Sequence, residues 1–195
     1  AMFGDGAPAA LSGAVHEALR RNASLFLGTQ ETNHLLTRAS VDLPDVVKET
    51  LRALPLARVA EILRRLVEEE VAIRNLRDIL ETLSDAAQRE KDVFALTELV
   101  RIGLKRQLCY RYAPAGRLSA LLIDPSIEEM LRAAVRVNGG VQQLALDPAQ
   151  TTQLIQKFTE AIARHQPVPI VTAVDIRRHV RKLIEVECFD TPVLS

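Results

Sequence analysis

Four histidines and two cysteines are the side chains of this sequence best suited to metal binding or nucleophilic chemistry. The histidines are far apart, with neither an HExxH motif nor a pair at i and i+4, so the spacing with which a helix presents two ligands to zinc is missing. The phosphate-binding motifs GxxxxGK[S/T] and GxGxxG are missing as well. The sequence therefore predicts no metal, nucleotide or other cofactor at His16, His34, His165 or His179.

Cys109 is the strongest candidate for a catalytic nucleophile, because Arg106 and Arg111 lie near it in the sequence and cations can activate a thiol. No histidine that could serve as its base is recognisable nearby. Since free cysteines are commonly buried, we expect Cys109 to be a buried or half-buried structural residue where the two halves of the chain meet. An enzyme that uses Cys109 stays open as the alternative.

Two Asp-Pro pairs could supply paired carboxylates for acid–base chemistry. Each pair, however, stands where a helix needs a cap, with aspartate before the first turn and proline at its first position. For the first pair, Ser126 and Glu129 also have the spacing of a capping box. We expect structural roles for Asp124-Pro125 and Asp147-Pro148, and no catalytic residue in the chain.

The strongest cluster of positive charge is a candidate partner-binding patch. Its members are at i, i+1, i+4 and i+5, so a helix would present them on one face to phosphate or an acidic partner. A solvated face balanced by Glu185 and Glu187 explains the pattern equally simply. Nucleic acid is disfavoured, because aromatic residues for base stacking make up only 4% of the chain. The cluster consists of Arg177, Arg178, Arg181 and Lys182.

Composition indicates a globular protein without a bulk preference for polyanions. Of the 195 residues 48% are hydrophobic and 26% charged, and 25 basic residues balance 25 acidic ones. Two cysteines without CxxC spacing favour a reducing, cytosolic setting. No apolar run approaches the roughly 20 residues that span a bilayer, so we expect a soluble fragment. Ala1-Met2 is typical of a cloning remnant and suggests a longer parent protein.

From about residue 10 to residue 108 the apolar residues recur with helical period. The first helix is expected to stop at Gly28 with a left-handed cap, and Thr29 to cap the next one. Pro44 fits a first helical turn, whereas Asn75 and Asp92 are expected caps of two further helices, the last running to Leu108. Short helices with brief connections predict a compact bundle.

After about residue 117 short apolar runs alternate with helical patterns, which predicts an α/β arrangement with helices packed on a single sheet. The predicted strands are Leu118 to Ile123, Val141 to Leu146, Val168 to Thr172 and Pro192 to Leu194. The fold class is therefore mixed α and β, with a helical subdomain followed by a small α/β subdomain.

Several segments, in order along the chain, resemble the export-gate family of bacterial type III secretion, and its injectisome branch more than its flagellar branch. The longest segment covers residues 71–83 and is followed by Lys91-Asp92 and residues 96–101. The segments read FLGTQET (26–32), VAIRNLRDILETL (71–83), LTELVR (96–101), LIDP (122–125) and PVLS (192–195).

The resemblance implies a noncatalytic cytosolic module that forms a nonameric ring under the inner membrane, joined to the membrane only through an N-terminal part absent here. It implies docking of chaperone–substrate complexes, a gatekeeper protein and other export-apparatus components. Residues 1–28 would be the helical end of a preceding subdomain, 29–116 the helical subdomain and 117–195 the α/β subdomain.

In that family the helical subdomain makes most ring contacts, which directs attention to charged residues beside its apolar stripe. Composition does not separate a polar interface from ordinary surface, so intrahelical pairs such as Arg77 with Glu81 are an equal alternative. The candidate subunit interface consists of Arg74, Arg77, Asp78, Glu81, Glu98 and Arg101.

Overall fold

A computed structural model describes residues 6–138, 141–165 and 168–195 of the chain. The chain divides into two compact units. The first, here called the helical unit, ends at Cys109, and the second, the C-terminal unit, runs from Tyr110 to Ser195. Ala1 and Met2, interpreted above as a cloning remnant, lie outside the described residues.

The helical unit consists of short α-helices and one 3-10 helix. The last helix, α7, begins in this unit and ends at Tyr112. Where the sequence predicted one helix from Asp92 to Leu108, the structure has two, because α6 ends at Gly103 and α7 starts at Lys105. The elements are α1 (Gly6–Arg21), the 3-10 helix (Ala23–Phe26), α2 (Thr29–Ala39), α3 (Pro44–Ala53), α4 (Leu56–Glu68), α5 (Leu76–Ala86), α6 (Val93–Gly103) and α7 (Lys105–Tyr112).

Two of the predicted helix caps in this unit are confirmed, at Asn75 and Asp92. Asn75 accepts a hydrogen bond from the backbone N–H of Asp78 at the start of α5, and Asp92 does the same for Ala95 in α6. The prediction for Gly28 was wrong: its backbone is extended (φ −91°, ψ −172°), and it is the N-cap of α2, with its N–H bonded to the Glu31 carboxylate. Thr29 is thus the first residue of α2 rather than its cap.

The core of the helical unit lies between α4, α5 and α6, each of which buries one apolar stripe. The spacing of three and four residues puts each stripe on one helix face, as the sequence pattern predicted. Burying an aliphatic side chain of this size stabilises a fold by about 1.5–3 kcal/mol. The stripes include Ile62, Leu63 and Leu66 on α4, Ile79, Leu80 and Leu83 on α5, and Leu96 and Val100 on α6.

Gly103 marks a close approach between α6 and α5. A Cβ atom at Gly103 would lie 2.5 Å from Thr82 Oγ1, which itself donates a hydrogen bond to the Asp78 carbonyl at 2.7 Å. Overpacking of this kind costs about 1–3 kcal/mol and exceeds the gain in helix propensity. We therefore expect Gly103→Ala to lower the free energy of unfolding of the helical unit by about 1–2 kcal/mol, measured by denaturant titration. The same change in a Thr82→Ala background should cost less; an equal cost in both backgrounds would contradict a clash with Thr82.

The C-terminal unit contains a three-stranded parallel sheet in the order β1-β4-β5 and a separate antiparallel hairpin of β2 and β3. In the sheet, Leu121 is in register with Ile170, and Ile170 with Val193. The elements are β1 (Leu121–Leu122), α8 (Pro125–Ala134), β2 (Val135–Asn138), β3 (Val141–Leu144), α9 (Pro148–His165), β4 (Ile170–Val171), α10 (Val174–Ile184) and β5 (Val193–Leu194).

The predicted fold class is confirmed, with two differences in detail. The strands are shorter than expected, and the prediction of a single sheet was wrong: β3, which lies in the predicted strand Val141 to Leu146, pairs with the unpredicted β2 in a second small sheet. The cap of α8 is Asp124, whose carboxylate accepts from the Ser126 backbone N–H at 2.8 Å, so the predicted Ser126–Glu129 capping box was wrong. Asp147 does bond to the start of α9, through the Ala149 N–H at 3.0 Å.

Candidate subunit-interface and partner-binding residues

The charged residues at and just before the start of α5 lie outside the core, beside the apolar stripe, as predicted. The apolar stripe of α5 points into the core, which leaves Arg74, Arg77, Asp78 and Glu81 exposed. Arg77 and Glu81 form an i,i+4 ion pair at 3.6 Å, with side chains 58% and 50% exposed. An exposed pair of this kind contributes only a few tenths of a kcal/mol. Its charges therefore remain accessible to a partner.

Glu98 and Arg101 lie in a different environment from the other interface candidates. The Arg101 side chain is only 7% exposed, and its guanidinium lies 3.2 Å from Glu69 and 4.0 Å from Glu98. Arg101 follows Thr97 by four residues, and Thr97 is buried, so both belong to the inner side of α6. The structure thus corrects the expectation that Arg101 is left over on an outer surface: it joins α6 to the end of α4.

The basic cluster on α10 is divided between the interior and the surface. Arg177 is 1% exposed and donates to the Val193 carbonyl at 3.2 Å. Arg181, also buried, donates to the carbonyls of Phe189 and Thr191 at 3.0 Å each. The prediction of one accessible face was wrong for these two arginines, because their guanidinium groups hold the segment that leads into β5.

The other two cations of the cluster remain nearer the surface. Arg178 is half-buried and donates to the Gln142 side-chain oxygen at 3.0 Å and its carbonyl at 3.3 Å, which connects α10 to β3. Lys182, 79% exposed, forms an ion pair with Glu185. This pair agrees with the alternative of a solvated helix face.

Residues that the sequence analysis did not single out fix the start of α10. Glu128 Oε1 accepts from Thr172 Oγ1 at 2.7 Å and from the Ala173 N–H at 2.9 Å. Arg132 donates to Asp175 at 2.6 Å, which lowers the pKa of Asp175 and raises the pKa of Arg132. Contacts between residues more than 40 positions apart have no short-range sequence signal.

His179 is the buried histidine of α10. Burial, with a smaller contribution from the Arg178 charge, lowers the pKa of His179 to about 4, although Asp175 acts in the opposite direction. Among the described residues, Nε2 of this imidazole has no hydrogen-bond partner. The side chain is therefore neutral at pH 7 and resists protonation.

The two cysteines differ in burial. Cys109 is exposed, which corrects the expectation of a buried or half-buried side chain. Cys188 is buried, with Sγ at 3.7 Å from Thr159 Oγ1. In residues 6–138, 141–165 and 168–195, no group of three or more His, Cys, Asp or Glu side chains is arranged to hold a metal ion. Within these same ranges no helix has the length and apolar character of a membrane span.

Comparisons with known proteins match this chain to one protein family. The sequence model of the FHIPEP family matches residues 6–195. The low calcium response locus protein D of Yersinia pestis is 45% identical over 183 residues, which are 91% of this chain and 26% of that protein. This chain therefore spans about a quarter of that relative.

Solved structures with the same fold include the following two. One is the nonameric EscV cytosolic domain from the type III secretion system, 42% identical, with a TM-score of 0.79 over 89% of this chain and 53% of that one. Another is the Chlamydia pneumoniae CdsV protein in complex with CdsO, 38% identical, with a TM-score of 0.85 over 93% of this chain and 54% of that one.

Proposed function

The chain belongs to the FHIPEP family and matches cytosolic domains of type III secretion export-gate proteins, and we propose that it is a noncatalytic, ring-forming module of such a gate. The observation that carries the proposal is the 42% identity to a nonameric cytosolic domain across 89% of the chain. In this proposal nine copies form a ring at the cytoplasmic face of the bacterial inner membrane. The division into residues 1–28, 29–116 and 117–195 stays a prediction.

Protein partners are the second part of the proposal. CdsV, a protein 38% identical to this chain, forms a complex with CdsO, which supports binding of a further protein, and we propose that other export-apparatus components bind here. We propose in addition that the ring receives chaperone–substrate complexes and a gatekeeper protein. On α10 the residues left for an acidic partner are Arg178 and Lys182, because Arg177 and Arg181 are buried.

The subunit interface is proposed at the exposed charges of Arg74, Arg77, Asp78 and Glu81. These side chains are accessible and carry both signs, which suits a ring contact in which one surface meets a different surface of the next copy. Arg101 and Glu98, the other two candidates, are mostly buried and connect α6 to Glu69 after α4, so the proposed interface does not depend on their side chains.

Replacing both Arg74 and Asp78 by alanine should weaken self-association about tenfold or more, because truncating a charged side chain that is paired and buried across an interface costs about 2–5 kcal/mol. The fold should persist, since the backbone N–H of residue 78 still donates to Asn75. Light scattering after size-exclusion chromatography at several concentrations measures the association, and circular dichroism measures the fold.

The matched control is Arg89→Ala, which removes an exposed arginine of the same unit whose ion pair with Asp85 has side chains 79% and 72% exposed. The control should associate as the unaltered chain does. An unchanged assembly state in the Arg74→Ala/Asp78→Ala chain would remove these residues from the interface.

A further inference from the structure

The chain leaves α4 through a turn that usually requires glycine. The Val71 N–H bonds to the Leu66 carbonyl at 2.8 Å and the Glu70 N–H to the Val67 carbonyl at 2.9 Å, which is the hydrogen-bond pattern of a Schellman motif. Val71 and Leu66, at the two ends of the motif, are both buried. The residue between them must adopt the left-handed conformation, and Glu70 does so with φ +55°. A side chain with a Cβ is strained there.

The carboxylate of Glu70 has a specific partner in a distant part of the sequence. Arg20 Nη1, near the end of α1, donates to Glu70 Oε1 at 2.7 Å. Nε and Nη2 of the same guanidinium donate to the two carboxylate oxygens of Glu17 at 3.0 Å each. Arg20 and Glu70 are 31% and 24% exposed, so solvent screens the pair only in part. One arginine thus bridges α1 to the end of α4.

Helix α1 buries little of its surface, since none of its residues from 11 to 21 is buried. Leu11, Val15 and Leu19 share one face of this 16-residue helix and are 67%, 51% and 52% exposed. A helix of this length is marginally stable without tertiary contacts. A charge-assisted contact at its last turn therefore has a large share in its docking.

We propose that the Arg20–Glu70 ion pair is a latch that holds α1 on the helical unit, and that a glutamate occupies the strained left-handed position because its carboxylate makes this contact. The latch fixes the position of the last turn of α1 against the end of α4. An ordinary surface ion pair would have no such effect on α1, and the difference is measurable.

Hydrogen exchange of α1 in two variants of Glu70 tests the latch. Glu70→Ala removes the carboxylate and keeps the strain, whereas Glu70→Gly removes both. Exchange of the α1 amides should become roughly three- to tenfold faster in both variants, as loss of a partly buried, charge-assisted pair predicts. The glycine variant should also have an unfolding equilibrium constant roughly fivefold smaller than that of the alanine variant, because glycine relieves the strain.

Glu61→Ala is the matched control, since Glu61 bonds to Arg65 at 2.8 Å and is 35% exposed but both residues lie on α4. This control should leave the exchange of α1 unchanged. If α1 exchanges at the wild-type rate in both Glu70 variants, the latch is overturned. If α1 exchanges as fast in Glu61→Ala as in the Glu70 variants, loss of any ion pair on α4 has the same effect and the latch is overturned as well. A glycine variant less stable than the alanine variant would refute the strain at Glu70.

Discussion

Replacing Arg177 by methionine should lower the free energy of unfolding of the C-terminal unit by about 3 kcal/mol. Arg177 is 1% exposed, and its Nη1 donates to the Val193 carbonyl at 3.2 Å. Methionine retains an unbranched apolar stem but has no N–H donor, so it removes a charge-assisted hydrogen bond and leaves a buried carbonyl with one partner fewer. Both losses add to the cost.

The loss of stability in the Arg177→Met chain should be largest at β5. β5 is joined to β4 by hydrogen bonds from the Ile170 N–H to the Pro192 carbonyl at 2.9 Å and from the Thr172 N–H to the Leu194 carbonyl at 3.0 Å. A strand of two residues at the edge of a sheet is only marginally stabilised by its pairing. The arginine contact at Val193 adds stabilisation from the α10 side.

Hydrogen exchange of peptides from residues 168–195 over a denaturant series measures this change within the C-terminal unit. Lys182→Met is the control, because it removes a cation from the same helix that is 79% exposed. The control should change the free energy of unfolding by less than about 0.5 kcal/mol. Wild-type stability in the Arg177→Met chain would contradict the assignment of Arg177 to holding β5.

Acidification should destabilise the C-terminal unit through His179. Burial lowers the folded-state pKa of this histidine from 6.5 to about 4. Between these values the unfolded chain binds a proton that the folded chain does not, so stability falls as the pH falls through 6.5 and the loss is complete below about 4. The contribution at the acid end is about 3 kcal/mol.

A His179→Leu variant separates this effect from other titrating groups such as Asp175. Leucine removes both the titration and the buried Nε2, which has no partner among the described residues, so stability at pH 7 should be equal or higher. Denaturant titrations from pH 7 to pH 4 should show the wild type losing about 3 kcal/mol more than the variant. Parallel pH profiles would exclude a buried, neutral His179.

The helices of the first unit were predictable because their buried apolar residues recur with the period of an α-helix. Leu63, Leu80 and Leu83 recur with the helical period and are buried as that period requires. Asn75 and Asp92 could be recognised as caps because a side-chain oxygen must satisfy backbone N–H groups that have no partner within the helix.

The burial of charged residues was not predictable from spacing. Arg177 and Arg181 have the same residue types and spacing as a solvated basic face, and only the folded chain brings the carbonyls of Val193 and Phe189 to them. Strand β2 was missed for a different reason. Val135 and Val137 alternate with polar residues, but the strand has only four residues and follows α8 directly, so no turn separates the helical pattern from it.

The candidate interface remains a prediction for a physical reason. A polar interface has nearly the same composition as the rest of a protein surface, so neither the sequence nor the folded monomer distinguishes Arg74 and Asp78 from solvated charges. Arg101 is also an arginine, like Arg74, but its side chain is buried and paired with Glu69, so the residue type does not indicate whether an arginine is exposed.

Sedimentation velocity of this chain, from micromolar to near-millimolar concentration, tests the ring-module account most directly. The account predicts that the mean mass rises with concentration toward that of a closed ring of nine copies, and that the Arg74→Ala/Asp78→Ala chain requires higher concentrations to reach the same mass. A chain that sediments as a monomer over the whole range would contradict the account, because ring formation would then not be a property of these residues.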